Sequence, residues 1–455
     1  MNYRGPGLWS RPRIVVLGEQ PRQDHFSGQN QELERRTPSM TFPAKPIVDF
    51  SRLMGTLASA QVWEYEAESK RTCDDSADEA FRALQRPLDF PPLEAAIVPG
   101  DHIAIAVDPN IPSIEKVIQG SVEALRQAGA GEIDVVISDE VHDATLASIA
   151  RQAEQGEPPL RVIRHSGSQR EDLRYLGADP QAEPIYLNRW LVDADFVLPI
   201  AAGRAGDVDC ESDLTGIFPA FADSRARRRF LSRRGESAPE GPMAFGSSDE
   251  PAWLLGIQVM ISVTANQRGC LGEIVAGTPD AIRKQRRPAR RTSDDFPPSA
   301  PLVIASLDGD AQQQSWANAA RAVNAASRYA LPGGTIVLWS EIDEAMPEVA
   351  RTNTRLEADD LVTSDDSSGG AEDGEEGFPV WNAFEAPART LARVNEDFRL
   401  LIHSRLDPET IESMGFGVLS TAEELQHLSR TFEACGVIRA AQFAGTTVDS
   451  VHGIG

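Results

Sequence analysis

Three polar residues stand where successive short strands should end: Asp108 after His102–Val107, His142 after Ile133–Ser138, and His165 after Arg161–Arg164. Two imidazoles and a carboxylate grouped in this way could act as general acid and base or as metal ligands. In open α/β sheets, ligands bind beyond the carboxyl ends of the strands. The plainer reading is that strand ends expose polar loop residues, with Asp143 capping the helix that follows. Asp207-Val208-Asp209-Cys210-Glu211-Ser212-Asp213 alternates acids like the start of a calcium loop, but Ser212 replaces the turn glycine and Phe218 the closing glutamate. A solvated acidic loop is therefore expected there. No GxSxG, HExxH, phosphate-binding P-loop or dinucleotide-binding glycine motif is present.

The elements that must position these residues follow an α/β rhythm. Ser76 precedes acids at 78 and 79 and the apolar stripe Ala80, Phe81, Leu84, which predicts a capped helix ending before Pro87. The strand 102–108 leads past Pro109 and Pro112 into a helix over 113–127, closed by Gly129. A strand at 133–138, a helix at 144–155 and a strand at 161–164 follow. Strands of this length alternating with longer helices indicate βαβ units and a parallel sheet. Further strands are expected at 195–200, 257–263 and 272–275. A second block opens with Leu302–Ser306, an Ala-rich helix over 312–329 and a strand at 335–339, and a late helix is expected over 421–434. The irregular apolar positions between Phe42 and Glu66 suggest a short β-hairpin.

The chain has 455 residues, with 44 Lys+Arg against 69 Asp+Glu and a net charge of −25. Such a balance repels phosphate backbones and anionic lipid, so nucleic-acid and membrane partners are not expected. No apolar stretch approaches the ~20 residues of a membrane span, and Met1–Ser10 lacks the apolar core of a secretory signal. Four cysteines lie far apart without a CxxC pair, which fits a reducing cytoplasm. Residues 1–40 read as a disordered extension. Residues 356–376, with nine acids and no base, read as a disordered acidic insertion. Arg225–Arg234 and Arg283–Arg291 each carry six basic residues, with Phe230 the one aromatic among them, and read as solvated loops, with local anion binding as the sharper alternative.

The order of these segments resembles the nickel-pincer lactate racemase family. The likeness runs through Pro91-Pro92-Leu93, Val98-Pro99-Gly100-Asp101, Arg164-His165, Asp193–Val197, Gly272–Asp280 and Ala325–Ile336, covering roughly residues 75–345 and, more weakly, 405–450. In that family an N-terminal α/β domain holds a nickel-bearing pincer nucleotide, and a smaller α/β domain closes over the substrate. The resemblance places His142 at the first catalytic histidine, in a Gly-x-His-Arg-Pro turn whose Arg-Pro is here Asp143-Ala144. Arg321 falls where the family keeps a lysine for the substrate carboxylate. Asp108 opens the Asp-x-x-Arg-Pro loop, with Ile111 in place of its arginine. Ala205 occupies a histidine position, and Thr215 occupies the position of the lysine that tethers the cofactor. No histidine occurs between His165 and His403, where a nickel ligand is expected.

Together these features predict two α/β domains with mostly parallel sheets and a cleft between them. The expected boundaries are 41–285 for the first domain, 286–300 for a linker and 301–455 for the second. The resemblance implies a divergent member that has lost its covalent nickel-pincer site, so no cofactor is expected. A cleft would remain in which Asp108 and Arg321 bind a small carboxylate- or phosphate-bearing ligand, with His142 as the candidate catalytic group. Two alternatives stand beside it. One is an active 2-hydroxy-acid racemase or epimerase that holds the pincer nucleotide non-covalently and opposes His142 with an acid of 207–213. The other is a non-enzymatic interaction protein docking through its acidic and arginine-rich segments. Oligomeric state is left open.

Overall fold

The computed structural model describes residues 61–65 and 75–444, apart from 156–159, 179–181, 204–213, 234–249, 267, 287–298, 349, 351–377 and 379, together with Leu57 and Cys73. The expected extension 1–40, the acidic loop 207–213, the acidic insertion 356–376, Ala205 and most of the linker lie outside the described residues. Residues 44–455 form one compact unit.

In chain order the strands are β1 (Gln61–Tyr65), β2 (Ile103–Val107), β3 (Ile133–Ile137), β4 (Arg161–Arg164), β5 (Leu173–Ala178), β6 (Pro184–Asn188) and β7 (Phe196–Ala202). They continue with β8 (Met260–Ala265), β9 (Leu271–Gly277), β10 (Ala300–Ser306), β11 (Ala330–Trp339), β12 (Arg399–His403), β13 (Gly417–Val418) and β14 (Ala434–Ile438). One six-stranded sheet has the order β4-β3-β2-β7-β8-β9, and a second has β1-β14-β10-β11-β12-β13. Pairing is parallel throughout both sheets except between β8 and β9. The protein is α/β, with each sheet the centre of a lobe.

Both sheets are covered on their two faces, as parallel sheets require. In the first lobe, Ile103, Ile105 and Val107 join one core with Leu84, Val117 and Leu125 of the flanking helices. The intervening Ala104 and Ala106 face a second core built on Leu187, Leu191 and Phe221. Alternation of large and small residues along β2 thus lets the 185–222 segment pack closely on one side. The second lobe repeats the scheme, with Val303 and Ala305 against the helix Trp316–Ser327 and Leu302 and Ile304 against Leu425.

Several local expectations shift. The first helix is capped by Asp75, whose carboxylate accepts from the backbone N–H of Ala77 and Asp78, so Ser76 is already helical. The strand expected at 257–263 runs over Met260–Ala265. The Ala-rich stretch divides into a 3₁₀ turn, Ala311–Gln313, and a helix that starts only at Trp316, capped by Ser315. Of the stretch expected to form a short hairpin, residues 61–65 are the strand β1, which pairs in parallel with β14 and edges the second sheet, and the rest apart from Leu57 lies outside the described residues. Both apolar faces of a short strand look alike in sequence, and nothing local names the distant partner. Among the described residues, no helix is long and apolar enough to cross a membrane.

Candidate active site in the cleft between the lobes

In the first sheet the winding reverses at β2. The chain proceeds outward from β2 through β3 to β4, then returns to place β7 on β2's other side. Asp108 sits at this switch point. Its backbone N–H donates to Ile200 O at 2.9 Å, and its carboxylate accepts from the Asn110 N–H at 2.8 Å, the Asn110 amide at 3.1 Å and the Ala202 N–H at 3.4 Å. The equivalent reversal in the second sheet, between β10 and β14, is closed. There Asp308 accepts from Ser306 Oγ and Ala440 N–H, each at 2.7 Å, and Gly269 of the β8–β9 turn packs so tightly on it that any side chain would overlap the Asp308 carbonyl. The crevice that remains therefore lies above β2.

After β3, the turn Ser138–His142 lines this crevice, with Asp139, Glu140 and His142 as its ionisable side chains. Asp139 forms a two-point ion pair with Arg227, at 2.7 and 3.1 Å. Burial alone would raise the Asp139 pKa, but the Arg227 charge and hydrogen bonds, aided by the Arg164 charge, hold it below the usual carboxylate range. Glu140 Oε2 accepts from the Asn110 amide at 2.8 Å and from Arg321 Nη2 at 3.2 Å. His142 is fixed through its backbone, which donates to Gln312 Oε1 of the second lobe at 3.0 Å. Its half-buried ring makes no hydrogen bond among the described residues. Arg164, at the end of β4, braces the turn by donating to Asp143 at 2.7 Å and to Val141 O at 2.7 Å.

Two adjoining cavities result. The first, of about 110 Å³, is lined by Asp108, Ser138, Asp139, Glu140, Gly216, Arg227, Arg321 and Trp381, among others. The second, of about 330 Å³, is lined by His142, Asp143, Arg164 and Trp316, and shares Asp139, Glu140 and Ala317 with the first. Asp108 and Arg321 thus face one cavity and His142 the next, with Glu140 between them. Arg321 comes from the helix Trp316–Ser327 and also donates to Asn318 Oδ1 at 3.2 Å.

His165 does not belong to the cluster expected at the strand ends. It is 2% exposed, its Nε2–H donates to Ala222 O at 3.0 Å, and its Nδ1 accepts from the Asn188 amide at 3.2 Å. Desolvation, with the Arg227 charge second, lowers its pKa to about 3, so the ring is a neutral interior prop. The arginine stretch is also not a solvated loop where it is described. Ser224–Arg233 is helical, Arg227 is buried under the Trp381 ring, and Arg228 pairs with Glu385. Asp139, Glu140, Arg227 and Trp381 were therefore missed as site residues. One signal was present, since Glu140 stands two residues before His142, where the resembling turn has glycine.

Residues 54–203 match the family model for the lactate racemase N-terminal domain. Among solved structures, the lactate racemase apoprotein from Thermoanaerobacterium thermosaccharolyticum shares the fold with a TM-score of 0.61 at 14% identity, over 82% of this chain and 93% of that one. Residues 54–203 are thus similar to a lactate racemase N-terminal domain, and the chain shares the fold of that apoprotein. A structural-genomics protein from Thermotoga maritima is similar at a TM-score of 0.51 and 12% identity, over 72% of this chain and 90% of that one. No curated protein matches the sequence.

The resemblance implies a lysine tether for a nickel-pincer nucleotide, and Thr215 stands at that position. Thr215, at the tether position, has no amine, is 4% exposed, and engages the Ile217 N–H of its own turn. His165 has both ring nitrogens committed inside the protein. Among the described residues, no three His, Cys, Asp or Glu side chains are grouped to hold a metal ion. Among the described residues, Thr215 offers no amine to which such a group could be joined.

Proposed function

We propose that this protein is a divergent lactate-racemase-like member whose cleft binds a small carboxylate- or phosphate-bearing ligand without a covalently attached nickel-pincer nucleotide. The observation that carries this reading is one cavity faced by Asp108 at the switch point of the first sheet, by Arg227 of the first lobe and by Arg321 of the second. Guanidinium groups recognise planar anions through paired hydrogen bonds. Arg321 would take the ligand's carboxylate and Asp108 would accept from a hydroxyl, while the Trp381 ring walls the site. The test is isothermal titration of the full chain with lactate, malate and 3-phosphoglycerate. Saturable binding that Arg321→Gln weakens at least tenfold, about 1.4 kcal/mol, is expected. Absence of binding to all three acids would overturn the reading.

A second reading retains catalysis, and one observation favours it: the His142 ring lines a cavity with no hydrogen-bond partner among the described residues. An imidazole facing a cavity with its ring uncommitted can serve as a general acid or base toward a bound ligand. On this reading the protein interconverts the stereoisomers of a 2-hydroxy acid, with the pincer nucleotide supplying hydride-accepting chemistry and held non-covalently. Protein produced alongside the enzymes that make that nucleotide should then retain nickel and racemise lactate, with His142→Ala inactive. Nickel-free protein from such cells removes this version. A cytoplasmic location accompanies both readings.

A further inference from the structure

Arg321 and Asp139–Arg227 present two different kinds of ion pair in the same cavity. Arg227 grips Asp139 at both carboxylate oxygens, the arrangement that gives an arginine–carboxylate pair its strength. Arg321 touches Glu140 at one point only, Nη2 to Oε2 at 3.2 Å. That same oxygen is held more tightly from the other side, by the Asn110 amide at 2.8 Å. The Glu140 side chain is 27% exposed, so it reaches water as well. Its other oxygen, Oε1, accepts no hydrogen bond among the described residues.

The contact closes a ring of hydrogen bonds between the lobes. From Arg321 it passes to Asn318 Oδ1, from the Asn318 amide to Gln313 Oε1 at 3.2 Å, and from the Gln313 amide to Asn110 O at 3.1 Å. Asn110, Gln313 and Asn318 are fully buried, and their bonds hold the two lobes in register whether or not Glu140 touches Arg321. The Glu140–Arg321 contact is thus the weakest link in the ring. It is the one link that can open without leaving a buried polar group without a partner, because Glu140 keeps Asn110 and solvent.

We propose that Glu140 is an internal competitor for the ligand: its carboxylate occupies Arg321 in the empty cleft and gives way to the carboxylate of an incoming small organic acid. The inference rests on the binding reading above and names its regulation. A ligand carboxylate offering two oxygens replaces a one-point contact with a two-point one, and Glu140 swings to its remaining partner. The site consequently selects acids that can approach Arg321 flat-on, and its affinity is set below what the arginine alone would give.

The experiment is titration calorimetry on the full chain with sodium lactate, and with lactamide as the neutral analogue of the same shape. Glu140→Gln keeps an acceptor for Asn110 but removes the competing charge. It should bind lactate about tenfold more tightly than the unaltered protein, the change expected from one charge-assisted hydrogen bond, with lactamide affinity unchanged. Adding Arg321→Gln to that variant should abolish the gain. Glu140→Ala serves as the second variant should the amide disturb folding, judged by its melting curve, and the same tightening is expected. Lactate binding by the unaltered protein that is equal to or tighter than in both variants overturns the competitor role and leaves the binding reading standing. Failure of all forms to bind lactate, malate or 3-phosphoglycerate overturns both.

Discussion

Arg227 and Asp139 join the arginine-rich helix of the first lobe to the turn after β3, through hydrogen bonds of 2.7 and 3.1 Å. Arg227 also donates to Pro219 O at 3.1 Å and to Ala220 O, and lies under the Trp381 ring at 4.8 Å. With the Arg227 side chain 5% exposed and that of Asp139 16% exposed, the pair is shielded from water on nearly every side. It therefore fixes one wall of the cleft, and it does so with a charge that has nowhere else to go.

Removing one partner should be costly. Asp139→Asn leaves a buried guanidinium without its counterion, and a loss of about 3 kcal/mol in unfolding free energy is expected from urea denaturation. Replacing both residues with apolar ones, Asp139→Leu with Arg227→Met, should recover most of that loss. Because the Asp139 pKa is lowered in the folded state, its stabilisation is present above the ordinary carboxylate pKa of about 4 and is lost as pH falls below it. A variant pair showing no recovery would mean that the helix, and not the ion pair, carries the stability.

His165 gives a second pH signature in a higher window. Its folded pKa of about 3 lies below the ordinary histidine value of 6.5. Above pH 6.5 the ring is neutral in both states and its contribution is complete. As pH falls from 6.5 towards 3, the unfolded chain binds a proton that the folded chain refuses, so stability declines by about 1.4 kcal/mol per pH unit. His165→Gln should lower stability at pH 8 yet flatten the pH dependence between pH 4.5 and 6.5. Parallel stability curves for the two proteins would show that His165 takes up its proton inside the fold.

How far the sequence revealed this arrangement depended on the range of each signal. Strands β2, β3 and β4 and their helices could be read because period, caps and breakers are local. Thr421, for instance, caps its helix by accepting from Glu424 N–H at 3.2 Å. Asp108 could be found because it ends a strand. Arg227 could not, since a helix with five arginines looks solvated until Asp139, 88 positions away, is placed against it. The place of β1 in the second sheet could not be read for the same reason, as its partner β14 lies at the far end of the chain. Glu140 and Trp381 become site residues only when the second lobe closes the cavity.

Gly120 tests the helix packing behind β2. It lies in the helix Ile114–Gln127 where the helix Ser76–Gln85 crosses, and a methyl group there would overlap the carbonyl of Ala77. Gly120→Ala would stabilise an isolated helix by about 1 kcal/mol. In the folded protein the forced separation should outweigh this and give a net loss of about 2 kcal/mol, visible as a lowered melting temperature by circular dichroism. An unchanged or raised melting temperature would show that the two helices can part without disturbing the sheet beneath them.

Arg228 provides the test of how the second lobe is tied over the site. It donates to Glu385 at 2.9 Å and 3.3 Å and to Val380 O at 2.8 Å, while the Trp381 N–H donates to Ser168 Oγ at 2.7 Å. These bonds draw the segment 380–385 onto the first lobe, beside the cavity that Ala386 and Pro387 help to line. The Arg228 and Glu385 side chains are 20% and 13% exposed, so the pair is screened by salt less than a surface pair would be. Arg228→Met should loosen this strap by about 1.4 kcal/mol, a tenfold rise in its opening equilibrium. Hydrogen exchange would then quicken about tenfold at amides near 381–390 and stay unchanged in β2 and β3. The exchanged pair, Arg228→Glu with Glu385→Arg, should slow exchange again, though not fully, because the bond to Val380 O is lost. Equal acceleration in both lobes would mean that the strap is part of the global fold and not a locally opening closure.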